Sequence, residues 1–133
     1  MKEILTQRIG ELLAKFPIGG VYENTNCHGA VLYVHGLADE FKKAEVVDLV
    51  RGFPQVEDSS HEVPVKDAGE GDLILFYYQG KGIGHSGVVM TRNGGDPSVF
   101  ESDGKYGCTI KPLGDIVESG FFSKVRCFRV EDN

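Results

Sequence analysis

Cys27 has the residue type and the sequence setting of a reactive thiol. It lies just before an apolar segment, Ala30 to Val34, which we predict to be part of a buried helix. The first turn of a helix carries unpaired N–H groups and the positive end of the helix dipole, and both stabilise a thiolate. We therefore expect a lowered pKa at Cys27 and a nucleophilic role. The alternative is a small apolar core residue, which we favour for Cys108 and Cys127 in predicted strands.

His85 is the second residue with a chemical interpretation. It opens an apolar strand between glycines, and an imidazole is the usual base for a thiol nucleophile. A third group normally holds such an imidazole, and the next predicted strand carries Glu101. Ser102 and Asp103 compete with Glu101, because strand register decides which side chain faces inward. A solvated histidine and a solvent-facing acid are the alternatives.

The first half of the chain predicts helices. The apolar run at 30–34 holds two valines, which favour a strand, but Asn24, Thr25 and Asn26 supply N-cap candidates just before it. We choose a helix there. The predicted elements of this half are helices over 2–16, about 26–37 and about 38–51, followed by a long loop over 52–70.

The second half predicts an antiparallel sheet. Its elements are strands over 73–78, 83–91, 97–102, 106–111 and 121–130, a turn over 92–96 and a short helix over 112–119. Helices followed by strands indicate an α+β fold, with N-terminal helices packed on the sheet. The length of 133 residues suits a single domain, 1–133.

Composition limits the possible partners. The net charge is −6 and no basic stripe is present, so we exclude nucleic acid as a partner. No apolar run reaches the roughly 20 residues that span a bilayer, so we predict no membrane partner. The N-terminus lacks the apolar core of a signal peptide, which favours a cytoplasmic location or export by another route, although a chain trimmed of its leader would look the same.

Cysteine and histidine patterns argue against a disulfide framework and a metal site. Three cysteines are few and odd in number, so at least one thiol should be free. His28 and His35 are seven residues apart and could share a helix face, but no CxxC or HExxH pattern is present. We predict no metal and no cofactor.

Three short motifs occur in an order that resembles a known family. They are Asn26-Cys27-His28-Gly29, Gly71-Asp72-Leu73-Ile74-Leu75-Phe76 and Gly84-His85-Ser86-Gly87-Val88-Val89-Met90. They resemble the nucleophile segment, a following strand and the histidine strand of NlpC/P60 cysteine peptidases. The resemblance covers roughly residues 21–103.

The resemblance implies a papain-like domain that hydrolyses amide bonds in peptidoglycan-type or other short peptides. It implies Cys27 as nucleophile, His85 as base and Glu101 in the place of a third residue that is more often His, Asn or Gln. Tyr22 loosely matches a substrate-contacting tyrosine. Asn26 and His28 stand where Asp and Ser are usual, and we assign them to substrate contacts.

These departures from the family pattern leave the reaction open. A thiol and an imidazole also serve glutamine deamidases, acyltransferases and thioesterases. A non-catalytic binding module on the same scaffold is a further alternative.

Overall fold

A computed structural model describes residues 3–91 and 96–130, the side chain of residue 57 excepted. The helices are α1 (Glu3–Lys15), α2 (Cys27–Val34), α3 (Val46–Gly52) and α4 (Leu113–Gly120). The strands are β1 (Glu62–Val63), β2 (Leu73–Tyr77), β3 (Ile83–Thr91), β4 (Ser98–Ser102), β5 (Cys108–Pro112) and β6 (Lys124–Phe128). Within these ranges, no helix has the length and apolar character needed to cross a membrane.

The six strands form one antiparallel sheet in the order β1-β6-β2-β3-β4-β5. The β2–β3 hairpin pairs Leu75 with Ser86 and Phe76 with His85. The predicted α+β class with an antiparallel sheet is confirmed.

The sheet has two covered faces, because side chains alternate along each strand. On one side, which we call the helical face, Leu73, Leu75, Val88, Phe100 and Phe128 pack against apolar residues of α1, α2 and α3. On the other, the α4 face, Ile74, Phe76, Val89, Val99 and Cys127 pack against Leu113 and Ile116 of α4.

The irregular segment between α2 and α3 corrects two predicted helices. The sequence predicts helices over 26–37 and 38–51, but α2 ends at Val34 and α3 begins only at Val46. Gly36 has a positive φ of 78°, which ends the helical conformation. The segment then passes so close to α2 that a Cβ on Gly29 would lie 1.9 Å from the carbonyl oxygen of Lys42. Contact with α2 therefore holds these residues out of a helix.

Other predicted boundaries differ less. The predicted loop over 52–70 contains β1 and three 3-10 turns, Pro54–Glu57, Ser59–His61 and Val65–Asp67. The last strand begins at Lys124 rather than at 121, because Phe121 adopts the left-handed conformation (φ 56°) that ends α4. Residue 2 of the first predicted helix and residues 92–95 of the predicted turn lie outside the described residues.

Candidate functional site

Asn26 fixes the start of α2. Its side-chain Oδ1 accepts hydrogen bonds from the backbone N–H groups of Gly29 (2.9 Å) and Ala44 (3.1 Å). Its Nδ2 donates to the carbonyl of Ala44 (2.8 Å). Asn26 is therefore the N-cap of α2 and ties it to the segment before α3, which is a different use from the substrate contact that the resemblance implied.

Cys27, the first residue of α2, has a buried thiol, with the residue only 8% exposed. Burial raises its pKa, while the N–H and hydroxyl of Ser86 and the N–H of His28 act in the opposite direction. The charge of Glu101 raises the pKa further. The expected lowering of the Cys27 pKa is therefore wrong, because desolvation of the thiolate outweighs the donors at the helix start.

His28 contacts both Cys27 and Ser86 of β3. Its Nδ1 is 2.8 Å from the hydroxyl oxygen of Ser86 and 3.7 Å from the sulfur of Cys27. Burial lowers its pKa, and the charge of Glu45 only partly opposes this, so the ring is neutral at neutral pH. Cys27, His28 and Ser86 form a buried group on the helical face, which we call the thiol cluster.

His85 lies on the opposite face of β3. The β2–β3 pairing is regular from His85 to Val88, and a register shift follows between His85 and Ile83. Within the regular part His85 precedes Ser86, so its side chain points to the α4 face. There the ring packs against Phe76 (5.2 Å between centroids) and stacks on Phe122 (5.8 Å). Its Nε2 lies 3.8 Å from Oε2 of Glu101. The structure thus brings His85 and Glu101 together, and we call them the His85–Glu101 pair.

The two members of this pair are mostly neutral near pH 6. Burial, with the charges of His28 and Lys111, lowers the pKa of His85 to about 4. Burial raises the pKa of Glu101 to about 7, with Lys111 opposing and Asp103 reinforcing the effect. The separation of 3.8 Å is also longer than a hydrogen bond.

A pocket of about 210 Å³ opens at the His85–Glu101 pair. Tyr78, Phe122 and Lys111 also line it. The Lys111 ammonium is 3.9 Å from one oxygen of Glu101, while the other oxygen has no hydrogen-bond partner among the described residues. The pocket therefore lies beside His85 and beside a carboxyl group, one oxygen of which is buried without a hydrogen-bond partner among the described residues.

The thiol cluster and the His85–Glu101 pair are neighbours without a direct hydrogen bond. Within the described ranges, the sulfur of Cys27 has His28 and Ser86 as its hydrogen-bond partners and makes no hydrogen bond to His85. The charge of Glu101 nevertheless acts on Cys27, and the charge of His28 acts on His85. On β3, Val88 is the first residue that pairs with β4, so Ser86 has no partner residue on that strand. The Ser86 N–H instead bonds to the Cys27 sulfur.

Among the described residues, His85 makes its ion-pair contact with Glu101 and with neither competitor. Ser102 lies on the helical face by strand alternation, and its hydroxyl donates to the carbonyl of Gly104 (3.0 Å). Asp103 is exposed after the end of β4, where it lines the same pocket as His85 and acts on Glu101 through its charge. Glu101 is thus the acid that the register places beside the imidazole.

Tyr22 makes contacts within the chain itself. Its hydroxyl donates to the carbonyl of Pro17 (2.8 Å), and its ring packs edge-on against Phe16 (5.1 Å). In this arrangement the hydroxyl stabilises the turn after α1.

The remaining cysteines belong to the core, as predicted. Both thiols are free and buried, and burial raises the pKa of Cys108 to about 11 and that of Cys127 to about 12. Across the described residues, no three His, Cys, Asp or Glu side chains cluster so as to hold a metal ion.

Sequence reasoning missed Ser86 and Lys111. Ser86 follows His85 directly, so strand alternation alone could have shown that the two side chains point to opposite faces. Nothing near Lys111 in the sequence indicates its position beside Glu101, since that contact depends on the β4–β5 register.

No protein-family model matches the chain, and no curated protein matches it.

Proposed function

We propose that this chain is a thiol-dependent hydrolase of amide bonds in peptidoglycan-type or other short peptides, with Cys27 as the nucleophile. The observation that carries the proposal is the position of the Cys27 sulfur at the start of α2, beside the N–H groups of His28 and Ser86. These donors suit the negative charge that develops during acyl transfer. A helix with its first residue as nucleophile, packed on an antiparallel sheet, also supports a papain-like fold of the NlpC/P60 type.

His85 is the proposed base, although His28 is nearer to the sulfur. His28 is 6% exposed and bonded to Ser86, whereas His85 lines a pocket that substrate and water can enter. The side chains of Cys27 and His85 point to opposite faces of the sheet, so the proposal requires the start of β3 to rearrange when substrate binds, which would bring the His85 ring from Phe122 to the Cys27 sulfur. The β2–β3 register shifts between the pairs Phe76–His85 and Tyr77–Ile83, and this irregularity is where such a rearrangement would begin.

The raised pKa of Cys27 requires general-base catalysis, since the resting thiol is protonated at neutral pH. His85 is neutral and accepts the thiol proton as sulfur bonds to the carbonyl carbon. The carbonyl oxygen becomes an oxyanion held by backbone N–H groups. The C–N bond then breaks, the amine takes the proton from His85, and water activated by His85 releases the acid from sulfur.

The test is incubation of the protein with muropeptides and mass spectrometry of the products. The wild type should release cleaved stem peptides, and Cys27→Ser should release none. His85→Gln should slow cleavage by roughly 100-fold or more, the usual effect of a lost general base. His61→Gln, in the 3-10 turn before β1, is a matched control that should keep full activity.

Two results would count against this assignment. If His28→Gln stops cleavage and His85→Gln does not, the base is His28. If muropeptides stay intact while a thiol reagent labels Cys27 rapidly at pH 7, a different thiol reaction takes the place of peptide cleavage.

A non-catalytic binding module is the second candidate. The buried, protonated thiol of Cys27 and its lack of a bond to His85 among the described residues favour it. Under this alternative, Cys27→Ser would retain full binding of short peptides, and no cleavage would be measured with any variant.

A further inference from the structure

A cavity of about 460 Å³ lies between α2, α3 and the irregular segment that joins them. Its volume is within the range typical of small-molecule sites. None of its lining residues belongs to the thiol cluster or to the His85–Glu101 pair. The cavity therefore needs an explanation separate from the proposed hydrolysis.

One part of the cavity wall is apolar. Leu32, Leu37, Ala38 and Ala44 line it, together with Gly29 and Gly52. Leu37 is 50% exposed, so a ligand that covers it would remove apolar surface from water. An occupant with a hydrocarbon body suits this wall.

The other part of the wall is positively charged. The cavity lining contains three basic residues, Lys42, Lys43 and Arg51, and one acidic residue, Asp48. This local excess of positive charge contrasts with the net charge of −6 of the whole chain. The Asp48 carboxylate already accepts the backbone N–H of Glu45 (2.8 Å) at the start of α3. Among the described residues, none of the three basic side chains makes an ion pair.

We propose that this cavity binds a small amphiphilic carboxylate. Its hydrocarbon body would pack on Leu32 and Leu37, and its carboxylate would meet Lys42, Lys43 and Arg51. A guanidinium matches a carboxylate with two parallel hydrogen bonds, which gives Arg51 the orienting role. The proposal stands whether or not Cys27 is catalytic, because it uses other residues.

The test is a titration of the full chain with octanoate, followed by ¹H–¹⁵N correlation spectra. Octanoate should shift the amide signals of Gly29 and Gly52 and should bind at least fivefold more tightly than octanol. The double variant Lys42→Gln/Arg51→Gln should weaken octanoate binding about fivefold and leave octanol binding unchanged, as expected for two partly solvated charge pairs. Ala38→Leu should weaken both ligands by filling the cavity.

Lys66→Gln is the matched control, since it removes an exposed positive charge outside the cavity. The proposal is overturned if octanol or octylammonium binds as tightly as octanoate, or if the shifts fall outside the cavity. It is also overturned if sedimentation shows a dimer in which a second copy covers Gly29 and Gly52.

Discussion

At the scale of single residues, two influences act on the Cys27 thiol in opposite directions. The start of α2 and Ser86 offer N–H and hydroxyl donors that favour thiolate, whereas burial favours the neutral thiol. Burial prevails because a thiolate that leaves water loses more solvation than a few donors restore. If Cys27 is the nucleophile, as proposed, its reaction requires a base, because the thiol is protonated at neutral pH.

Alkylation of Cys27 should follow this raised pKa. With iodoacetamide and site-resolved mass spectrometry, we expect the rate at Cys27 to be still rising at the usual thiol pKa of 9.0. Ser86→Ala removes a donor that lowers this pKa, so its rate at pH 8 should fall several-fold below that of the wild type. A rate that has levelled off by pH 7 would contradict the burial argument.

The His85–Glu101 pair should give two opposite pH effects on stability. His85 takes up its proton near 6.5 in the unfolded chain but near 4 in the folded one, so its contribution is lost as pH falls from 6.5 to 4. Glu101 titrates near 4.5 unfolded and near 7 folded, so its contribution is lost as pH rises from 4.5 to 7. The two contributions nearly cancel in the wild type.

Replacing one residue of the pair should reveal the pH effect of the other residue on stability. As the pH falls from 6.5 to 4, Glu101→Gln should lose stability relative to the wild type, because the effect of His85 remains. As the pH falls from 7 to 4.5, His85→Gln should gain stability relative to the wild type, because the effect of Glu101 remains. The expected size is on the order of 2–3 kcal/mol. Urea unfolding at several pH values measures both, and parallel curves for the three proteins would rule the effect out.

At the scale of secondary structure, the start of α2 depends on one side chain. Asn26 caps the helix and binds both backbone polar groups of Ala44. A helix of eight residues gains little from its own hydrogen bonds, so it depends on such contacts and on packing. The position of Cys27 therefore rests on Asn26.

Asn26→Ala should cost about 2–3 kcal/mol, from one lost cap and two lost hydrogen bonds. Asn26→Asp keeps the acceptor but loses the donor to the Ala44 carbonyl, so its cost should be about half as large. Urea unfolding gives both values. Gln7→Ala, at an exposed position of α1, is the control and should stay within about 0.5 kcal/mol of the wild type. Equal costs for Asn26→Ala and Gln7→Ala would refute the capping role.

Elements with a regular apolar pattern were predictable, and those held by distant contacts were not. The spacing of Leu5, Ile9 and Leu12 predicts α1, and those residues are buried as expected. The residues before α3 carry a helical pattern as well, but Asn26 and the close passage at Gly29 hold them in another conformation. Such tertiary contacts leave no periodic pattern in the sequence.

In the candidate site, too, some features were predictable from the sequence and others depend on distant contacts. The residue types at Cys27 and His85 and their setting in the chain were visible in the sequence, and strand register then places Glu101 beside His85. The sequence did not indicate that Ser86, rather than His85, would lie at the sulfur. That outcome follows from how α2 sits on β3, which is decided by packing over the whole helical face.

At the scale of the whole molecule, the two faces of the sheet are covered unequally. The helical face carries three helices, and every residue of α2 is buried. On the α4 face, α4 contributes Leu113 and Ile116 as its buried residues. Local opening should therefore begin on the α4 face, next to the His85–Glu101 pair.

Native-state hydrogen exchange should detect this difference. We expect amides of α4 to open at a lower free energy than amides of β2. Ile116→Ala should lower the opening free energy of α4 by about 2 kcal/mol, which corresponds to roughly 30-fold faster exchange, with less effect on β2. Ile4→Ala, at a half-exposed position of α1, is the control. Uniform opening of α4 and β2 would show that the molecule unfolds as one unit.

The chain segment after α1 gives the sheet protection against fibrillar aggregation. Pro17 bridges to Cys108, whose N–H donates to the carbonyl of Phe16 (2.7 Å), so this segment occupies the start of the outer edge of β5. At the opposite end of the sheet, β1 has only two residues. Neither edge offers a long free template on which another chain could add a strand. Proteolysis that removed α1 with Phe16 and Pro17 would expose the β5 edge and make the truncated protein prone to form cross-β assemblies.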